Sequence, residues 1–524
     1  MTSIRSAITD ENRRWWTLGA MCFALFMIML DNTVVNVALP SIQKDLHSSI
    51  SGLEWTVNAY TLSFAVLLVT GGRLGDIFGR RRMFLFGVVV FGLSSAFIGL
   101  SQTEAWLVTG RAVQGIGAAF MMPATLSIIT NAFPAHERGK AIGTWAGVSA
   151  LALAIGPVVG GALVENVSWQ SIFFLNVPVA VIAVFVTLAA TRESRDETST
   201  HHVDIPGVAT ITVGLGAIVL ALVEANSWGW GSPRIVGLFA LGAASLVAFA
   251  IAELRVPEPM VDFGFFRSRS FLGANIVAFT VTFAMLAVFF FLALYMQNIK
   301  GYTPLQAGVR FLPTTVVIIV VAPIAGRLSD RIGPRPLMVT GLLLTAGSLF
   351  WQGHLKVDTS YSFLVGAFVL LGFGMGLVMS PMSTAAMNAV DRTKAGVASG
   401  IVSMSRMIGG TFGVAALGAL ITGLGKSKLD DVLPNVPADQ RQHLADALGA
   451  GGGTQAKGPV GDAVREAFVY ALNNGLRIGA AVAAAGAVVA WLLIADRAEA
   501  PAEAGAEAAV GGPAEAEPQL AEVA

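Results

Sequence analysis

Two ionisable residues, Asp31 and Arg111, lie within long apolar stretches of the sequence. A charge at the centre of a bilayer costs about 2.5–3.5 kcal/mol, so such a residue needs a partner or a function. At a rise of about 1.5 Å per residue, both lie at similar depths of their predicted helices and can pair. Lost solvation favours a protonated carboxyl, whereas a nearby guanidinium favours the carboxylate. The pair is therefore the predicted proton-coupling site; a static pair that only orients two helices is the alternative.

Five further residues bring polar or aromatic groups into apolar helices and are predicted to bind substrate: Trp55, Asn58, Tyr60, Gln114 and Arg406. Gln114 is three residues beyond Arg111 and shares its helix face. For Trp55 and Tyr60, a place in an interfacial aromatic belt is an equal alternative. Arg406 lies deep in a later apolar run, where a role in a cavity and a structural pair are about equally favoured.

The composition indicates that membrane helices position these residues. Hydrophobic residues make up 55% of the 524-residue chain, charged residues 13%, and the mean hydropathy is +0.70. A soluble domain has about a quarter charged residues. A helix crosses the bilayer core with about 20 apolar residues, and about fourteen runs of that length occur. The predicted fold class is therefore all-α integral membrane, with about fourteen transmembrane helices.

Charge and cysteine content exclude several classes of function. Lys and Arg total 33 and Asp and Glu total 33, so no global basic surface exists for nucleic acid. The single cysteine, Cys22, has no partner for an intrachain disulfide or a cysteine metal cluster. The six histidines show neither an HExxH motif nor zinc-ligand spacing. We expect no enzyme activity, no metal and no cofactor.

Breaks between the apolar runs predict the domain organisation. Basic residues concentrate in alternate connections, which places both termini in the cytoplasm by the positive-inside rule. The Ala/Glu/Pro/Gly-rich C-terminus cannot bury enough apolar surface to fold. The predicted segments are a cytoplasmic N-terminus (1–16), an N-terminal six-helix half (17–190), a linker with two inserted helices (191–255), a C-terminal six-helix half (256–497) that includes an external loop (424–470), and a disordered acidic cytoplasmic tail (498–524).

An internal repeat relates the two halves. The string GRLGDIFGRRR at 72–82 returns as GRLSDRIGPRP at 326–336. Gly117 and Pro123 correspond at nearly the same offset to a glycine-rich stretch that ends at Pro381. The predicted helices at 53–71 and 105–129 therefore map onto those at 306–326 and 362–385, eight helices further along the chain. An even step keeps both copies in the same orientation. Parallel repeats are one plan of secondary transporters, whose substrate site lies between the halves near the midplane.

The repeat also supplies candidate gating residues, since its acidic residues lie beside basic loops where opposed charges can latch the two halves. These candidates are Gly72, Asp76, Gly79 and Arg80 in the first copy and Gly326, Asp330, Arg331 and Gly333 in the second. Ile77 stands where the second copy has Arg331, so the two latches need not be equal. A further group, Gly156, Pro157, Gly160 and Gly161, permits a helix bend; a kink for packing alone is the alternative.

Five motifs in order resemble the major facilitator superfamily, specifically its fourteen-helix drug:proton antiporter branch. They are LDNTVVNVALP at 30–40, GRLGDIFGRRR at 72–82, RAVQGIGAA at 111–119, AIGPVVGGAL at 154–163 and WQSIFFLNVP at 169–178. The resemblance implies the major facilitator fold, with two parallel-repeat halves of six helices and two inserted helices. It also implies a proton-coupling role for Asp31 and Arg111.

The implied function is proton-coupled export of amphipathic, often cationic drugs or toxic compounds by a monomer in a bacterial cytoplasmic membrane. Its expected partners are a small-molecule substrate, protons and membrane lipid, with a proton gradient in place of a cofactor. A lone cavity carboxylate with apolar walls suits such a cargo. A dedicated exporter of one natural product, lipid or peptide is the first alternative. A membrane sensor or scaffold that transports nothing is the second.

Overall fold

Long α-helices make up most of the computed structural model. It describes residues 8–48, 50–197, 204–256, 259, 261–449 and 458–495, and these residues contain no β-strand. Twelve of the described helices are long and apolar enough to cross a membrane. The predicted all-α integral membrane fold is therefore confirmed.

The first seven helices precede the predicted linker. They are α1 (Arg13–Leu46), α2 (Ile50–Phe78), α3 (Arg80–Gly99), α4 (Glu104–Ala132), α5 (Ala135–Asn166), α6 (Ser171–Phe174) and α7 (Asn176–Ala190). Both α2 and α3 pack against α4, while α1 packs against α5 and α7. Glycine makes the α3–α4 approach close, since a Cβ on Gly117 would collide with the backbone of Phe91 and Gly87. The predicted apolar helix at 172–190 is divided into α6 and α7.

The remaining α-helices include a second copy of this arrangement. They are α8 (Ile205–Trp228), α9 (Pro233–Glu253), α10 (Arg269–Leu294), α11 (Pro304–Arg310), α12 (Leu312–Ile332), α13 (Pro334–Gln352), α14 (Tyr361–Asn388), α15 (Ala395–Val432), α16 (Ala438–Gly449) and α17 (Gly458–Leu493). Helices α12 and α13 pack against α14 as α2 and α3 pack against α4. Between the halves, α2 contacts α15 and α5 contacts α12. The packing therefore follows the sequence repeat.

The predicted inserted helices, α8 and α9, lie at the side of the seam between the halves. Asp204 and Ser232 cap their N-termini, each accepting a hydrogen bond from a backbone N–H of the first turn. Helix α8 packs against α2 of the first half and α15 of the second, whereas α9 packs chiefly against α8. The inserted pair thus contacts both halves mainly through α8, while Phe249 of α9 packs against Phe263 of the second half. The division of the chain into domains stays a prediction.

The predicted external loop, 424–470, is largely helical, which corrects the sequence interpretation. Helix α15 continues to Val432, α16 occupies the middle, and α17 begins at Gly458. The polar segment ADQRQHLADALG consists mainly of helix-forming residues and buries Ala445 and Leu448, so it folds as a short amphipathic helix. Residues 450–457, the predicted tail at 498–524 and residues 1–7 lie outside the described part of the chain.

The number of membrane spans stays approximate. Helices α5 and α13 are not among the twelve that satisfy the length and hydropathy requirements. Both nevertheless pack inside the bundle, α5 against α1 and α12, and α13 against α14 and α17. The prediction of fourteen spans corresponds to the twelve together with these two helices.

Candidate functional site

A buried ion pair joins α1 to α4. Nη1 of Arg111 donates a hydrogen bond to Oδ2 of Asp31 over 2.6 Å. Only 4% of Asp31 and 1% of Arg111 are exposed. The structure therefore brings the two residues of the predicted proton-coupling site into direct contact, while their role in coupling stays a prediction.

Two amides hold the other oxygen of the Asp31 carboxylate. Oδ1 accepts hydrogen bonds from Nδ2 of Asn176 on α7 and from Nε2 of Gln114 on α4, both over 3.0 Å. Ser95 on α3 accepts from the same two amides, over 2.7 Å from Gln114 and 3.3 Å from Asn176. The carboxylate thus accepts from Arg111, Gln114 and Asn176, so side chains of four helices meet at one point.

Arg111 is oriented by its own surroundings. Its Nε donates to the backbone oxygen of Thr56 over 3.1 Å, and its Nη1 also donates to Oε1 of Gln114 over 2.6 Å. The guanidinium carbon lies 4.2 Å from the centroid of the Tyr60 ring and 6.0 Å from that of Phe173. Aromatic faces stabilise a cation at such distances. Tyr60 is buried and lies beside the ion pair.

The Asp31 carboxylate ties α1 to two other helices. Two opposite charges compensate each other inside this buried site, and removing one of a buried pair costs about 3–5 kcal/mol. The donors to Asp31 are Arg111 and Gln114 on α4 and Asn176 on α7. Loss of the charge on Asp31 would therefore weaken the contacts that hold α1 against α4 and α7.

The other predicted substrate residues lie outside this cluster. Trp55 and Asn58 on α2 are partly exposed, and among the described residues no hydrogen bond joins them to Asp31 or Arg111. Arg406 on α15 is also partly exposed, and its guanidinium carbon lies 5.9 Å from the ring centroid of Trp145 on α5. Arg406 therefore reaches across the seam from the second half towards the first.

Four members of the cluster were missed by sequence reasoning: Thr56, Ser95, Phe173 and Asn176. A signal existed for Asn176, the asparagine of the recognised string WQSIFFLNVP, and for Ser95, a polar residue within an apolar run. Thr56 contributes a backbone oxygen, for which no side-chain pattern can exist. Phe173 contributes an aromatic face and looks like any other apolar helix residue.

A second site closes the end of the bundle that carries Arg80 and Arg392, here called the basic end. The fully buried Asp76 carboxylate on α2 accepts hydrogen bonds from the backbone N–H groups of Gly396 and Val397, both over 2.8 Å. These amides lie at the N-terminus of α15, where the helix dipole favours a negative charge. Arg80 donates to the same carboxylate over 2.8 Å.

Arg80 extends this latch onto the turn Arg392–Lys394. Its Nη2 donates to the backbone oxygens of Arg392 and Thr393, over 2.9 and 2.6 Å. Asp391 holds that turn by accepting hydrogen bonds from the backbone N–H and the hydroxyl of Thr393, both over 2.8 Å. The hydrogen bond from the Thr393 backbone is the main cause that keeps the pKa of Asp391 below its usual value.

The second copy of the repeat makes the reciprocal contact. Asp330 on α12 accepts hydrogen bonds from the backbone N–H groups of Gly139 and Lys140 on α5, over 3.0 and 3.1 Å. Pro334 stands where the first copy has Arg80, and Arg331 is exposed, with no hydrogen bond or ion pair to another described residue. The two latches are therefore unequal, with the arginine support confined to Asp76.

Glycines permit both latches to form. A Cβ on Gly72 would collide with the backbone oxygen of Gly396, and one on Gly326 with that of Gly139. Gly79 and Gly333, at equivalent positions of the repeat, have φ angles of 108° and 85°. This region of φ favours glycine. At each of these four positions in the basic end, a side chain would therefore cause a collision or backbone strain.

The predicted bend in α5 is a packing surface against α1. A Cβ on Gly156 would collide with the side chain of Thr33, and one on Gly160 would press on Val34. Nothing lies near the corresponding position of Gly161. Pro157 falls within α5, and its side chain lies outside the described part of the structure. Two of the four residues therefore have a steric role here, and a role in gating stays a prediction.

Sequence comparison finds relatives that cover most of the chain. The family profile of the Major Facilitator Superfamily matches residues 21–414. The tetracenomycin C resistance and export protein of Streptomyces glaucescens is 34% identical over 92% of this chain and 91% of its own. The puromycin resistance protein pur8 of Streptomyces alboniger is 39% identical over 80% and 84%. The multidrug transporter protein MdtP of Bacillus subtilis (strain 168) is 32% identical over 84% and 82%.

Solved structures share the fold. The proton:xylose symporter XylE, bound to 6-bromo-6-deoxy-D-glucose, has a TM-score of 0.61 and 13% identity over 93% of this chain and 97% of its own. The human organic anion transporter MFSD10 (TETRAN) has a TM-score of 0.61 and 13% identity over 90% and 99%. At this identity the likeness concerns the fold alone. With the family match, the repeat and the helix packing in agreement, the chain belongs to the major facilitator superfamily.

Proposed function

We propose that this protein is a proton-coupled exporter of amphipathic drugs or toxic compounds, often cationic ones. The observation that carries the proposal is the buried pair of Asp31 and Arg111, an ionisable site deep in a membrane bundle. The relatives support the export of drugs, since they are named for resistance to tetracenomycin C and puromycin and for multidrug transport. The proposed activity is transport, without catalytic chemistry or a cofactor.

In the proposed cycle, a proton from outside binds the Asp31 carboxylate and breaks its pairing with Arg111. The guanidinium then keeps its hydrogen bonds to Gln114 and Thr56 and its contact with the face of the Tyr60 ring. Helix α1 shifts relative to α4 and α7, which opens the basic end to substrate. Loss of the proton to the cytoplasm restores the pair. The membrane potential contributes about 2.3 kcal/mol per charge per 100 mV to this cycle.

The closed basic end supports an orientation in which that end faces the cytoplasm. Both latches join the halves there, as expected of a transporter whose site opens to the outside. We place the protein in a bacterial cytoplasmic membrane with both termini inside, in accord with the basic connections and the bacterial relatives. We propose that the monomer, with its two halves, is the transporting unit.

Transport in proteoliposomes with an imposed pH gradient tests this function. Wild-type protein is expected to move an amphipathic cationic drug against its gradient and to move protons in the opposite direction. Asp31→Asn should abolish both fluxes, whereas the control Asp439→Asn, at an exposed position of α16, should not. Coupled flux at the wild-type level in Asp31→Asn would reject the proposed site. Absence of any drug flux through wild-type protein would favour the membrane sensor or scaffold that transports nothing. A panel of drugs and natural products distinguishes a broad exporter from a dedicated one.

A further inference from the structure

An apolar groove runs along the outer surface of α1 and α7 near the basic end. It has a volume of about 370 Å³, and its lining includes Trp15, Trp16 and Phe23 on α1 and Ile182 and Val186 on α7. Trp16, Phe23 and Ile182 are 40%, 37% and 50% exposed, so large apolar side chains face out of the bundle here. The groove lies apart from Asp31 and from both latches.

The length of the groove matches one leaflet of a bilayer. Its lining along α1 extends from Asn12, the N-cap residue of that helix, to Phe23. At about 1.5 Å per residue this distance is about 16 Å, close to half of a hydrocarbon core of about 30 Å. The two tryptophans lie at the end nearest the chain terminus, where amphipathic rings favour the headgroup region. The groove therefore fits an acyl chain that runs from the interface towards the midplane.

A polar cavity continues the groove beyond its tryptophan end. It has a volume of about 410 Å³, and its charged lining consists of Arg13, Arg81, Arg192 and Glu193. The Nε atoms of Arg13 and Arg81 are buried and donate no hydrogen bond to a described residue. The nearest carboxylate oxygens, of Asp10 and Glu193, lie 3.4 and 3.9 Å from them. Each of these guanidinium groups thus has one N–H without a hydrogen-bond acceptor among the described residues, beside the charged lining of the cavity.

The three arginines that line this cavity outnumber by one the described carboxylates that contact them. Arg192 donates to Asp10 over 2.8 Å, and Glu193 accepts from the backbone N–H of Arg81. Three arginines therefore face two carboxylates. A phosphodiester brings one negative charge and several acceptor oxygens, and arginine binds such oxygens well. Each basic side chain near an anionic headgroup contributes about 1 kcal/mol.

We propose that the groove and the cavity together bind one anionic phospholipid of the leaflet at the basic end. Its phosphodiester contacts Arg13, Arg81 and Arg192, and one acyl chain fills the groove between α1 and α7. The site joins α1, which carries Asp31, to α3 and α7, which carry Ser95 and Asn176. A bound lipid therefore stabilises the arrangement of helices that surrounds the ion pair.

Native mass spectrometry of the detergent-solubilised protein, titrated with phosphatidylglycerol or phosphatidylcholine of identical acyl chains, tests the site. Wild-type protein should bind one phosphatidylglycerol more tightly than phosphatidylcholine. Arg192→Gln should lower the affinity for phosphatidylglycerol roughly fivefold and leave the affinity for phosphatidylcholine unchanged. Arg192 is 72% exposed, so this variant should fold. The control Arg234→Gln removes an exposed charge on α9 and should change the affinity for neither lipid.

Two further variants distinguish the contribution of the lipid headgroup to binding from that of the acyl chain. Asp10→Asn removes the carboxylate that competes for Arg13 and Arg192, so it should strengthen phosphatidylglycerol binding about fivefold. Trp16→Ala should weaken both lipids alike. Equal affinity of wild-type protein for the two lipids overturns the proposal, and so does an unchanged affinity in both Arg192→Gln and Asp10→Asn. Displacement of the bound phospholipid by an equal concentration of an exported drug would make the groove a drug site and also overturns it.

Discussion

The Asp76 carboxylate of α2 lies 2.8 Å from the backbone nitrogen of Gly396, the second residue of α15. A residue of one half thus accepts from buried N–H groups in the first turn of a helix of the other half, which have no acceptor within that helix. Asp330 repeats the contact in the opposite sense, on the backbone of α5. Each half therefore contributes a carboxylate and receives one, so the proposed gate at the basic end can open only when both contacts break.

Asp76→Asn should shift the protein towards the state that is open at the basic end. A charged hydrogen bond contributes about 1–3 kcal/mol, so the population should move by that amount. Spin-label distances between the ends of α2 and α13 report the shift, and turnover should slow more than cytoplasmic-side substrate binding weakens. Asp330 has no partner equivalent to Arg80, so Asp330→Asn should give a smaller shift. An unchanged distance distribution in Asp76→Asn would mean that Asp76 serves the fold alone.

Gly72→Ala should prevent full closure of the basic end. The added methyl group collides with the backbone oxygen of Gly396, which cannot move away as a flexible side chain can. Gly161→Ala is the matched control, because nothing lies near its Cβ position. Cysteine accessibility at the basic end should rise in Gly72→Ala and stay at the wild-type level in Gly161→Ala. Equal accessibility in both variants would contradict the steric role of the contact.

Asn176→Ala should reduce proton-coupled drug transport. The substitution removes one of the donors to the Asp31 carboxylate, so Asp31 loses the hydrogen bond that joins α1 to α7. The control Asn166→Ala removes an exposed side chain that bonds to the backbone oxygen of Ala162. Drug flux and proton flux in proteoliposomes, measured under the same imposed gradient, report the change. An equal reduction in both variants, or none in Asn176→Ala, argues against the proposed role.

Arg406→Gln should change substrate selectivity with little loss of stability. Arg406 is a partly exposed residue with no ion pair in the described structure, so no charged partner is left behind. Removing this cation should strengthen binding of cationic drugs by up to about tenfold and weaken binding of anionic ones. Arg477→Gln, exposed on α17, is the control. Equal affinities for drugs of both charges in wild-type and Arg406→Gln protein would place Arg406 outside the substrate path.

The sequence by itself determined the class of protein, the repeat and the central ion pair. Apolar runs of membrane-spanning length reflect a local requirement, because every backbone group in the bilayer must bond within its own helix. A repeated string can be read without any structure. Asp31 and Arg111 were visible because charged residues in apolar runs are costly and need a reason. The prediction of an external loop at 424–470 was wrong about its structure. Its polar residues suggested a loop, but many of them are good helix formers, and most of the segment is helical.

Only the tertiary structure decided what surrounds these residues. Asn176 reaches Asp31 across 145 residues of sequence, and Val397 donates to Asp76 across 321. No periodicity specifies such contacts, since they depend on which helix faces meet and how closely glycines let them approach. The acceptors and donors are also partly backbone groups, which every residue has and no motif reveals. The partners of Asp31 and Asp76 were therefore decided by helix packing, because packing alone brings distant segments within hydrogen-bond distance.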